Sequence, residues 1–209
     1  MLAGLLVAAC GGSSSPSASN PSGKFPVQVA QASFPTSQRL SQHSDLVISL
    51  RNVGQKPIPN IAVTILNPAD GTAAAAFGAL LPQSQPGQPV LASRSRPVWV
   101  VDQAPGPCQY SCHNSGPGGD ATAYSNTWAM GKLLPGHTAR FAWAVTAVQA
   151  GTYTVKYEVA AGLDGKARAV LTSGGPASGS FRVTISSQPR EAYVNNNGKI
   201  VYRKKGNTP

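Results

Sequence analysis

The sequence predicts an all-β protein: an antiparallel β-sandwich with a long loop insertion and a C-terminal β-hairpin. Three observations predict it. Apolar and polar residues alternate along several short segments, Gly, Pro and Asn punctuate the gaps between them, and no amphipathic helical pattern competes. Period-two alternation gives each strand one apolar face and one wet face. Two layers must then stack to hide the apolar faces from water.

The elements follow in chain order. Val27-Gln28-Val29 opens the first extended piece. Asp45 to Arg51 alternates with Leu46, Ile48 and Leu50 on one face, and Asn52-Val53-Gly54-Gln55 supplies a turn. Ile58 to Leu66 follows with Ile61, Val63 and Ile65 in phase. Ala73 to Phe77 is the one stretch that reads as a short helix, and Val98 to Val101 reads as an added edge strand. Ala139 to Val148 puts Phe141, Trp143 and Val145 on one face, and Trp143 is therefore a core residue. Gly151 to Val159 alternates most cleanly, with Thr152, Thr154, Lys156 and Glu158 outward. Lys166 to Thr172 and Ser180 to Ser186 complete the sandwich. Ala192 to Val194, a turn at Asn197-Gly198, and Lys199 to Tyr202 predict a hairpin standing apart as an arm.

Composition limits the function classes. Charged residues are 11% of the chain, against about 25% in an average soluble protein, and Gly, Pro, Ser and Thr fill the deficit. Such a neutral, turn-rich surface is common among all-β proteins outside the cytoplasm. Seventeen basic against seven acidic side chains give a net charge of +10. The longest basic run is Arg203-Lys204-Lys205, and aromatics are not interleaved with cations, so a nucleic-acid groove is not expected. Attraction to an anionic envelope or lipid surface is. The scarcity of carboxylates disfavours a paired-acid hydrolase. No nucleophile elbow, P-loop or zinc motif is present, so the chain reads as a non-enzyme without a cofactor.

Val7-Ala8-Ala9-Cys10 resembles the lipobox of bacterial lipoproteins, an aliphatic residue and two small residues before an obligatory cysteine. That resemblance implies a signal segment over residues 1–10 and acylation of Cys10. It also implies a lipid-anchored protein at the extracytoplasmic face of a cell membrane. No basic residue precedes Cys10, so the true start is expected upstream of Met1. Residues 11–24, rich in Gly, Ser and Pro, read as a tether holding the folded part off the membrane. No other stretch is apolar for the 18 or more residues of a membrane span.

"SDLVISLRNVGQKPIPNIAVTI" and "LLPGHTARFAWAVTAVQAGTYTVKYEVAAG" resemble the two halves of bacterial cell-surface immunoglobulin-like modules of the CARDB and DUF11 type. The resemblance implies an immunoglobulin-like sandwich over residues 25–188. It also implies a tyrosine at the Gly-x-Tyr corner, Tyr153, bonding back to the backbone. Residues 79–132 form an insertion between the two halves, and residues 189–209 hold the hairpin and a basic tail.

The insertion contains the sharpest local cluster, Cys108-Gln109-Tyr110-Ser111-Cys112-His113. With Cys10 acylated, an exported chain has Cys108 and Cys112 left as an even pair, and a disulfide closing a small loop is expected. The alternative is a copper or redox accessory protein using Cys108, Cys112 and His113, since thiolate and imidazole suit that metal. Haem attachment needs a shorter spacer. Trp99, Tyr110, His113 and Trp128 are the candidate contacts for an envelope polymer or protein partner. The competing reading for the two tryptophans is that they plug the insertion onto the sandwich. His43 and His137 read as surface or loop histidines, and Asp102 with Asp120 matches no calcium loop. A carrier for a hydrophobic ligand between the sheets would require an internal cavity.

Overall fold

The computed structural model describes residues 21–66, 75–79, 97–106, 126–189 and 191–202. Among these, strands β1 (Gly23–Ser33), β2 (Ser37–Arg39), β3 (His43–Asn52), β4 (Ala62–Leu66) and β5 (Ala75–Ala79) come first. They are followed by β6 (Pro97–Gln103), β7 (Thr127–Ala129), β8 (Thr138–Ala147), β9 (Gly151–Ala160), β10 (Ala167–Leu171) and β11 (Ser178–Ser186). β12 (Ala192–Val194) and β13 (Ile200–Tyr202) pair only with each other.

The strands stack as two layers. One runs β10-β1-β3-β8-β6-β5, and the other runs β2-β11-β9-β4-β7. A single pair, Arg168 with Ala160, joins them along one flank. The alternating residues point inward as their period requires. Leu46, Ile48 and Leu50 of β3, and Phe141, Trp143 and Val145 of β8, are fully buried. Tyr153, Val155 and Tyr157 of β9 oppose them from the second layer.

Aromatic rings fill the space between the layers. Trp128 meets Trp143 edge-on at 5.4 Å, and Trp99 meets Tyr153 at 5.9 Å. Phe77 contacts Trp99, Trp128 and Trp143. Edge-to-face geometry aligns ring edges with π faces and adds to the burial gain. Two tyrosines also lie flat across glycines. A Cβ on Gly179 would sit 2.5 Å from the Tyr157 hydroxyl, and one on Gly151 would sit 2.6 Å from that of Tyr153. Tyr153 Oη donates to the Ala150 carbonyl at 2.8 Å, the corner bond that the immunoglobulin-like resemblance implies.

Three expectations need correction. Residues 75–77, read as part of a short helix, lie in strand β5, which pairs in parallel with β6 and sets Phe77 opposite Trp99. Burial of Ala76 and Phe77 against the aromatic cluster outweighs the weak helical preference of alanine. Val98 to Val101 is not an edge strand, because β6 lies between β8 and β5. The sandwich is also not wholly antiparallel, since β1 with β10 and β2 with β11 pair in parallel. The β12–β13 hairpin forms its own two-stranded sheet and leaves Tyr193, Val194, Ile200 and Tyr202 exposed.

Candidate functional site

Strand β8 positions the main candidate site. Its register with β3 is unbroken from Thr138 to Thr146. The His137 carbonyl accepts from Asn52 N at 3.0 Å, and Ala147 N donates to Gln42 O at 3.1 Å, so odd-numbered residues bond towards β3. Val148 N donates to Val98 O at 2.9 Å, so even-numbered residues bond towards β6. β6 does not follow β8 to its start. The register slips between Val101 and Gln103, leaving Asp102 as the bulged residue, and pairing ends at Gln103 with Ala144. Beyond that point the N–H and C=O groups of Thr138, Arg140 and Ala142 face outward with no backbone partner among the described residues.

This half-strand edge borders a cleft of about 590 Å³, within the usual range for ligand sites. Residues 103–106, with Pro105 buried, close one end. The crossing from β7 to β8, Met130 to Leu134, forms the opposite wall. It is held in place because Leu133 N and O both bond Ile58, at 3.0 and 2.9 Å, while Asn52 Nδ2 donates to the Leu133 carbonyl at 3.0 Å. Ile61, Met130 and Leu133 supply the apolar floor. Lys132, His137 and Arg140 supply the rim, and no carboxylate lines the cleft among the described residues. An apolar floor under a cationic rim suits a ligand that is partly apolar and partly anionic.

A second polar cluster sits at the other end of β8. The Asp102 bulge aims its carboxylate at the Thr146 hydroxyl, which donates to Asp102 Oδ2 at 2.6 Å. His43 Nδ1 lies 2.8 Å from Thr146 Oγ1 and 3.1 Å from Asp102 Oδ2. A hydrolytic triad uses both imidazole nitrogens, one towards the acid and one towards the nucleophile. Here both partners share Nδ1 and the hydroxyl is turned to the carboxylate, so the cluster pins β3, β6 and β8 together.

The predicted site residues scatter. Trp99 and Trp128 are buried, and Trp99 Nε1 donates to the buried Gln38 Oε1 at 2.8 Å. Their expected role as contacts for a partner is therefore corrected: both are plugs in the shared core. Cys10, Cys108, Cys112, Tyr110 and His113 lie outside the described residues, as does Asp120. His137, read as a loop histidine, stands on the cleft rim. Lys132 and Arg140 escaped the sequence reading. The signal was present in "GKLLPGHTAR", where three cationic or titratable side chains flank a Pro-Gly turn with no acid among them.

The fold and cleft define an all-β sandwich with a lateral groove. No protein-family model matches the chain, and no curated protein matches it. Among solved structures it is similar to the CARDB domain of the PF1109 protein, in complex with di-metal ions, from Pyrococcus furiosus. The TM-score is 0.42 at 12% identity, covering 78% of this chain and 96% of that one. Native alpha-2-macroglobulin from Escherichia coli, from domain MG7 to the C-terminus, gives 0.40 at 13% identity over 84% of this chain and 21% of that one. The ASH / PapD-like domain of human CEP192 gives 0.33 at 12% identity over 88% and 98%. The likeness at these scores carries no function across.

Proposed function

We propose that this chain is a non-catalytic binding module of the cell envelope. It is held at the extracytoplasmic face of a membrane through a lipid on Cys10 and receives an anionic partner in the groove beside β8. The observation that carries the binding part is the pairing of an apolar floor with Lys132, His137 and Arg140 along the open stretch of β8. The lipobox-like Val7 to Cys10 and the tether that follows support the anchor. A thioether-linked diacylglycerol at Cys10 leaves Cys108 and Cys112 to close a loop in the insertion.

Charge reversal tests the groove. Lys132 and Arg140 are exposed, so Lys132→Glu with Arg140→Glu leaves the core untouched. Wild-type protein is expected to bind isolated host envelope saturably, and the double variant to lose about tenfold or more in affinity. Equal binding by both would remove the groove from the proposal. For the anchor, wild type is expected to follow the detergent phase of a Triton X-114 extract of the native host. Cys10→Ser is expected to stay in the aqueous phase, and identical partition of the two would remove the anchor.

A further inference from the structure

Building on that reading of the groove, we infer that its occupant is an extended peptide with alternating acidic and apolar side chains, which adds to β8 as a strand. Thr138, Arg140 and Ala142 present outward-facing backbone donors and acceptors over the stretch that β6 has left. Main-chain pairing of an incoming strand would satisfy them, and such pairing supplies affinity independent of side chains. Side chains of an added strand alternate between faces. One set would enter the cleft beside Met130 and Leu133, where apolar groups fit. The other would lie beside the exposed Arg140 and Thr138, where a carboxylate fits.

Charge selects among occupants. A second copy of this chain, at +10 and offering the same Arg140 edge, meets like-charge repulsion. An acidic strand meets attraction from Lys132 and Arg140, with no carboxylate among the described lining residues to oppose it. An anionic polymer without amide groups could satisfy the rim and would leave the β8 backbone unpaired.

The test uses the purified chain and a capped heptapeptide alternating Glu and Val, with amide exchange followed residue by residue. In the free protein the Arg140 and Ala142 amides are expected to exchange freely, and the peptide to slow them tenfold or more. N-methylation of the peptide backbone along its pairing edge is expected to weaken binding by about tenfold or more, and Lys132→Glu with Arg140→Glu to weaken it similarly. Amides already protected in the free protein would mean the chain covers its own edge, and would overturn the inference. Equal binding of methylated and unmethylated peptide, or binding of polyphosphate alone, would overturn strand addition while leaving an anion-binding groove. Failure of both probes, with envelope binding still lost in the charge-reversed variant, would likewise overturn the peptide occupant and spare the groove.

Discussion

The two halves of β8 share one inner face and differ at one edge. Among the described residues, the strand is flanked by β3 and β6 from Ala144 to Ala147, and by β3 alone from Thr138 to Ala142. Both halves bury their inward side chains, Val145 and Ala147 in the paired half and Phe141 in the open half, while Trp143 between them stacks on Phe141 at 6.0 Å with an interplanar angle of 19°. The core therefore does not register that β6 flanks only one of the two halves. Packing between layers and pairing within a layer are separable, and a sandwich can keep the first while giving up a stretch of the second.

The largest expected effect lies in the shared core. Trp143→Ala should cost about 3–5 kcal/mol in denaturant unfolding, through lost burial and a cavity the neighbouring rings cannot close. Arg140→Ala on the open edge should stay within about 0.5 kcal/mol. Equal losses would erase the contrast between face and edge.

Proline separates the halves directly. Thr146 pairs with Val100, so Thr146→Pro removes a ladder donor and should cost about 3 kcal/mol or more. Ala142 has no such partner among the described residues, and proline is tolerated on edge strands, so Ala142→Pro should cost clearly less in the same measurement.

A further comparison sets two buried tryptophans against each other. Trp99 Nε1 bonds Gln38, whereas Trp143 Nε1 is buried with no hydrogen-bond partner among the described residues. Trp99→Phe strands the Gln38 carbonyl and should cost about 1–2 kcal/mol more than Trp143→Phe. The smallest effect is expected at the exposed polar cluster. The His43 side chain is 73% exposed, so His43→Ala should change stability by less than about 1 kcal/mol.

Where the sequence was legible, one physical signal was responsible. β3, β8 and β9 could be read because β-branched and aromatic residues alternate with polar ones along their length. β5 could not, because Ala75 and Ala76 carry no strand preference and become strand only through the partner β6 and the rings around Phe77. The parallel pairs β1–β10 and β2–β11 join segments far apart in sequence, and no local pattern encodes them. The cleft was illegible for a related reason. It exists because β6 stops at Gln103, and where a strand loses its neighbour is a property of two segments. Trp99 and Trp128 show the converse error: a tryptophan within a polar insertion looks available, yet its area is more readily buried than displayed.

The pairing of β1 bears on how the molecule responds to tension. β1 runs parallel to β10, β10 antiparallel to β9, and β9 antiparallel to β11, so β1 and β11 point the same way. Gly23 and Ser186 therefore sit at opposite ends of the sandwich. Force applied between the segments that precede and follow it runs along the strand axes. β1 is gripped on both sides, by β3 and β10, so its hydrogen bonds would be loaded together in shear instead of peeled open one by one. Such a domain makes a stiff longitudinal link in whatever chain of attachments it belongs to.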